Sequence, residues 1–287
     1  MSNTIIVPVD FSEQSLIALE QACNVAEVLH STVILLHITD EPAFAFSAAA
    51  KAAQEEREIE IRTRLNQLCI DIQSKRKIDC SYELKEGKIY DQIAEFSKEK
   101  EARFIIMGTN GSVGIKKKFI GSNALRVVKE SEIPVITIKG QNHNQGISTI
   151  VLPLDLTKET KQKTAKAIEL AQAFNSKICI VTVTESDDEY VINNLQRQVN
   201  QIQGILTNNG IENSADMIEK TGSISESILN YAKEKNADLI MIMTQQEQNF
   251  TDLFIGSSAQ ELINHSEIPV CSIIPIKTEE SLTAIFN

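Results

Sequence analysis

Phe119–Val135 reads FIGSNALRVVKESEIPV, and Phe254–Val270 reads FIGSSAQELINHSEIPV. In both, Phe-Ile-Gly-Ser is followed after the same interval by Ser-Glu-Ile-Pro-Val. The stretches differ between these ends and agree where a backbone turn and a strand entry must be built. Such a repeat governs the reading of everything around it. Working outward, TIIVPVDFSEQS from Thr4 matches TIVLPLDLTKET from Thr149, and VILLHITDE from Val33 matches ICIVTVTES from Ile178. EARFIIMG from Glu101 answers NADLIMIM from Asn236, Gly87 pairs with Gly222, and Gly121 pairs with Gly256. The offset is 145 residues early and 135 later, so the second copy is shorter by about ten residues. The shortening is expected in or beside AFAFSAAAKAAQ, after the second strand.

Two copies of this size predict two domains, residues 1–140 and 146–287, joined through the polar, turn-prone run KGQNHNQGIS from Lys139. Within the first copy, β-branched runs predict strands near 4–9, 32–39, 79–85, 103–107 and 134–138. Helical patterns are expected near 13–30, 51–75, 88–100 and 120–130. Strands apolar throughout, such as FIIMG and VILLHI, suit a parallel sheet covered on both faces. The alternation of strand and helix predicts an open, doubly wound α/β sheet in each copy. Ligands of such sheets bind beyond the carboxyl ends of the strands, where strand order reverses.

There, after the fourth strand, stands GTNGSVGIKKKFIGSNA, Gly108 to Ala124. Gly108, Gly111 and Gly121 follow the spacing G-x2-G-x9-G-S, which is neither a P-loop nor a Rossmann fingerprint. Glycines let a main chain turn tightly and approach a ligand closely. Gly121-Ser122-Asn123 opens a helix, whose free N–H groups and positive dipole end favour a phosphate. Lys116, Lys117 and Lys118 form the dense positive cluster of an acidic chain. Read blandly, the glycines make an irregular surface loop and the lysines a solvated face.

VPVDFSE on the first strand, this loop, and SEIPVITI on the last strand together resemble the universal stress protein family, and the whole chain resembles its tandem form. The resemblance implies five-stranded parallel sheets of the adenine nucleotide alpha hydrolase-like kind, with the two copies paired through their last strands as an intramolecular pseudo-dimer. It implies ATP as ligand, with Mg2+ as an accompanying ion. Adenine would lie at Pro8, Val9, Asp10 and Ile38. Ribose and phosphates would lie at Met107, Gly108, Asn110, Gly111, Gly121, Ser122 and Asn123. Asp10 has a second reading, capping the first helix together with Ser12, and Met107 a second reading as core. The family's use of the last strand also raises a homodimer through the final strands.

The second copy departs from this pattern. Met243 and Gln246 stand where Gly108 and Gly111 stand, and Phe250, Thr251 and Asp252 replace the lysines. Glu247 and Asp252 would repel a polyphosphate, although Asp155 is retained. Only the first copy is therefore expected to bind ATP. The leading expectation is a stress-response regulatory protein that binds ATP with little or no turnover, since the loop holds no carboxylate and phosphoryl transfer needs a positioned base and metal. The alternatives are a sensor or interaction module, whose C-terminal copy takes a non-nucleotide ligand or a protein, and a slow ATP hydrolase.

A net charge of -11, with 42% hydrophobic and 23% charged residues, argues against broad nucleic-acid or anionic-membrane binding. No apolar stretch approaches the roughly 20 residues needed to span a bilayer. The N-terminus lacks a basic start followed by an apolar run, so a cytoplasmic location is expected. The five cysteines are scattered without metal spacing and are expected as buried thiols. His30, His37, His143 and His265 show no ligand spacing either, and His37 reads as a core histidine.

Overall fold

The computed structural model describes residues 3–39, 48–109, 120–140, 146–154, 160–185, 187–244 and 256–274. The first copy forms β1 (Thr4–Pro8), α1 (Glu13–Leu29), β2 (Thr32–Thr39), α2 (Ala48–Arg76) and β3 (Cys80–Glu86). It continues with α3 (Ile89–Glu99), β4 (Phe104–Gly108), α4 (Ser122–Glu130) and β5 (Val135–Ile138). The second copy repeats the order with β6 (Thr149–Pro153), α5 (Thr160–Phe174), β7 (Lys177–Thr184), α6 (Glu189–Asn208) and β8 (Asn213–Glu219). It closes with α7 (Ile224–Glu234), β9 (Leu239–Met243), α8 (Ser257–His265) and β10 (Val270–Ile273). Most elements begin and end within two residues of expectation; α2 begins three residues early. It has 29 residues against 20 in α6, so this helix carries most of the shortening of the second copy.

All ten strands join one sheet in the order β3-β2-β1-β4-β5-β10-β9-β6-β7-β8. Pairings within each half are parallel. The halves meet where β5 and β10 run antiparallel, with Val135 opposite Ser272, Ile136 opposite Cys271 and Thr137 opposite Val270. The two Ser-Glu-Ile-Pro-Val motifs thus feed the strands that join the copies. One expectation needs correction here. β5 already lies between β4 and β10, and β10 between β5 and β9. Neither has an edge left for a second chain, so a homodimer by strand pairing through the final strands is blocked.

The core follows from alternation along each strand. Ile5, Val7, Phe104 and Ile106 face one apolar layer, where α1, α2, α5 and α6 supply Ala22, Leu65, Leu170 and Leu206. Ile6, Ile105 and Met107 face the other, where α3, α4, α7 and α8 supply Ile93, Val127, Ile228 and Leu262. Both layers run through both halves. The five cysteines are buried free thiols. Burial pushes the Cys23 and Cys271 thiols up to about 12. Among the described residues no helix is long and apolar enough to cross a membrane.

A candidate ligand cleft beyond β1 and β4

In the first half, the chain winds outward from β1 in both directions: β2 and β3 lie on one side, β4 and β5 on the other. The reversal between β1 and β4 leaves a crevice at their carboxyl ends, as doubly wound sheets do. A cavity of about 320 Å³ opens there. Pro8, Val9 and Asp10 enter it from the end of β1, and Met107 and Gly108 from the end of β4. Ile38 comes from β2, and Gly121, Ser122 and Asn123 from the start of α4. Nine of the eleven residues singled out from sequence therefore line one space. Asn110, Gly111, Lys116, Lys117 and Lys118 lie outside the described residues.

The cleft has two chemically distinct ends. Leu36, Ile38, Ile89, Ile93 and Met107 make an apolar wall. Ile89 and Ile93 stand one helical turn apart on α3 and face the cleft together. That spacing was visible in the sequence, but only the crossover of α3 shows that it borders the site. Opposite lies the start of α4. Its N-cap is Gly121, in extended backbone, and no side chain caps it. By contrast, Ser12 caps α1 by accepting from the Ser15 N–H, and Ser223 caps α7 by accepting from the Glu226 N–H. A bare helix start offers donors and a positive dipole end to an anion.

Close contacts hold this end in place. The Gly121 N–H donates to the Thr109 carbonyl at 2.6 Å, and a Cβ on Gly121 would sit 3.2 Å from that same oxygen. One residue earlier, the Ile120 N–H donates to Asn264 Oδ1 at 2.9 Å, across from α8 of the other half. The Lys139 ammonium in turn donates to the Asn264 carbonyl. Gly108 is tied to something else. A Cβ there would meet Gln14 Cγ at 2.8 Å and the Gln14 carbonyl oxygen at 2.9 Å. Its bareness serves the approach of α1 to β4, not only the approach of a ligand.

Asp10 accepts from the Ser12 N–H at 3.0 Å and from the Ser12 hydroxyl at 2.5 Å. It braces the turn into α1, while Ser12 itself is the N-cap. The next residue, Phe11, takes φ 62°, a left-handed conformation that is strained for a bulky side chain. Its ring lies 5.2 Å from the His37 ring, and the Arg64 guanidinium sits 4.0 Å above it. His37 Nδ1 bonds the Val9 carbonyl at 2.6 Å, so this histidine is a satisfied support of the cleft. Sequence reasoning missed Phe11 and Arg64, since their contact joins residues more than fifty positions apart.

Comparison with known proteins fits this architecture. A model of the universal stress protein family matches residues 1–139 and again residues 146–273. The chain belongs to the universal stress protein family. Universal stress protein MJ0531 of Methanocaldococcus jannaschii is 28% identical over 145 residues, spanning 47% of this chain and 81% of that protein. Universal stress protein MJ0577 of the same organism is 28% identical over 158 residues, spanning 50% of this chain and 98% of that protein. A solved universal stress protein from Archaeoglobus fulgidus superposes with TM-score 0.76 at 20% identity, over 96% of this chain and 100% of its own. A likeness at that identity speaks for the fold, here across both halves of a universal stress protein.

Proposed function

We propose that this universal stress protein binds one adenine nucleotide, ATP, in the cleft of its first half, and that it acts as a regulatory binder with little or no turnover. The observation that carries this reading is the pairing of an apolar wall with an uncapped helix start across one cavity. A volume of about 320 Å³ lies at the lower end of the roughly 300–1,000 Å³ usual for small-ligand sites. The base suits the wall of Ile38, Ile89, Ile93 and Met107. Phosphate oxygens suit the N–H groups at Ser122 and Asn123 and the Ser122 hydroxyl. Charge-assisted bonds of this kind contribute about 1.5–3 kcal/mol each, so a few of them with a buried base support micromolar affinity, about -8 kcal/mol.

Asp10 is the one ionisable side chain among the described residues lining the cleft. Mg2+ commonly takes one or two carboxylates plus phosphate oxygens and water, so Asp10 is the residue that would hold it. The Asp10 oxygen already serves Ser12, which disfavours a role as general base and supports slow or absent hydrolysis.

Calorimetry on the full chain tests both parts. One ATP per chain is expected, weakened more than tenfold by Gly121→Leu and unchanged by the matching Gly256→Leu. Two ATP per chain, none, or sensitivity only to Gly256→Leu would overturn the site. Phosphate release on the order of 1 per second or faster, abolished by Asp10→Ala, would overturn the non-enzymatic role.

A further inference from the structure

The second half has a cavity in the corresponding place, and its chemistry is different. It measures about 170 Å³ and lies beyond the carboxyl ends of β6 and β9, where strand order reverses a second time. Two exchanges account for its character. The 135-residue offset puts Met243 where Gly108 stands, and the 145-residue offset that pairs Thr4 with Thr149 puts Lys163 where Ala18 stands. Ala18 is fully buried in α1, and Lys163 is only 4% exposed in α5. The lysine side chain borders the cavity, and its ammonium donates to the Pro153 carbonyl at the end of β6. Around it stand Val181, Val183, Ile228, Ile242 and Leu262, all apolar.

We propose that this cavity is a second ligand site, which takes a small carboxylate with an apolar body. The proposal is independent of what the first half binds. Three features of the site select that class. Its volume is about half that of the first cleft, too small for a nucleoside with phosphates and close to the roughly 150 Å³ of a cavity that holds one benzene. Its walls reward a ring or short hydrocarbon through burial, about 25 cal/mol for each Å² covered. Among the described residues its one bordering cation, Lys163, sits at low exposure beside the Pro153 carbonyl, where an anion gains a charge-assisted bond and a neutral analogue does not. Ser258, in the first turn of α8, adds a polar group at the rim. Like α4, α8 starts at a glycine with no side-chain cap, so its dipole also favours an anion.

Benzoate and its neutral counterpart benzamide are the probes, titrated into the full chain with methyl groups observed by NMR. Benzoate should shift the methyls of Val181, Val183, Ile242 and Leu262 saturably, with Kd on the order of 1 mM or tighter. Benzamide should bind at least about tenfold more weakly, the loss expected for one charge-assisted bond. Lys163→Met keeps an unbranched side chain one atom shorter and without charge, and should erase the preference for the acid. Ile228→Trp, which fills the cavity from α7, should abolish both signals. The proposal fails if benzoate leaves these methyls unmoved, if acid and amide bind equally, or if the folded Lys163→Met chain keeps the preference. It fails equally if ATP shifts the same methyls with higher affinity than benzoate.

Discussion

Gly108 shows how much a single missing methylene can decide. Its would-be Cβ lies within 3.0 Å of three Gln14 atoms, two of them in the backbone of α1. Backbone cannot swing aside as a side-chain tip can. Gly108→Ala should therefore destabilise the chain by about 1–3 kcal/mol, the usual penalty of overpacking. A thermal melt would show it as a lower midpoint, and an unchanged midpoint would refute the contact. From the sequence, this glycine was legible as special but not for this reason. Gln14 lies 94 positions away, and no local pattern announces a contact of that span. His37 was read as a core histidine because it interrupts an apolar strand; it is hydrogen-bonded but only half-buried, and its partner, the Val9 carbonyl, came only with the parallel pairing of β1 and β2. Phe11 could not be foreseen, since nothing in its type suggests a left-handed backbone.

Helices and strands were far more legible, because periodicity and turn residues act locally. The expected strand 32–39 is β2 to the residue, and the expected helix 13–30 is α1 with one residue fewer. Ser12 accepts from the Ser15 N–H and donates to Asp10, so one hydroxyl caps the helix and braces the carboxylate at the cleft mouth. Ser12→Ala should cost about 1 kcal/mol through the lost cap, read from chemical denaturation as a lower midpoint at unchanged slope. Stability equal to the parent would show that the cap contributes nothing. The outer strands β3 (CSYELKE) and β8 (NSADMIE) carry charged residues along the two free edges of the sheet. That placement discourages pairing with another chain, whereas the wholly buried β5 and β10 are paired with each other.

Across the whole molecule, the decisive long-range fact was legible through the repeat and the family resemblance together: two similar last strands, each needing a neighbour, supply one another. Ion pairs reinforce that junction. Glu169 on α5 meets Arg103 at 2.9 Å and Lys166 at 2.6 Å, linking the entry of β4 to the second half. Burial opposes the Glu169 charge, but hydrogen bonds and attraction from Lys166 and Arg103 outweigh it and hold the carboxyl below its ordinary value. A carboxylate with a depressed folded pKa stabilises above its unfolded pKa and loses that contribution as pH falls through the folded value. Glu169→Gln should therefore melt a few degrees below the parent at pH 7, the modest size expected of a partly exposed pair. The gap should close as pH drops below about 4; a gap that persists in acid would point to packing instead. Neither Arg103 nor Glu169 was singled out beforehand, because a bridge between copies has no sequence signature. One tie remains, where Asn264 near the end of α8 takes the backbone N–H of Ile120. At about 1.5 Å per residue, the nine residues of α8 make a spar some 13 Å long. Ser258 and Leu262, on the same spar, border the space around Lys163. A single short strut is thus the sill of one chamber and, near its far end, the latch on the doorpost of the other.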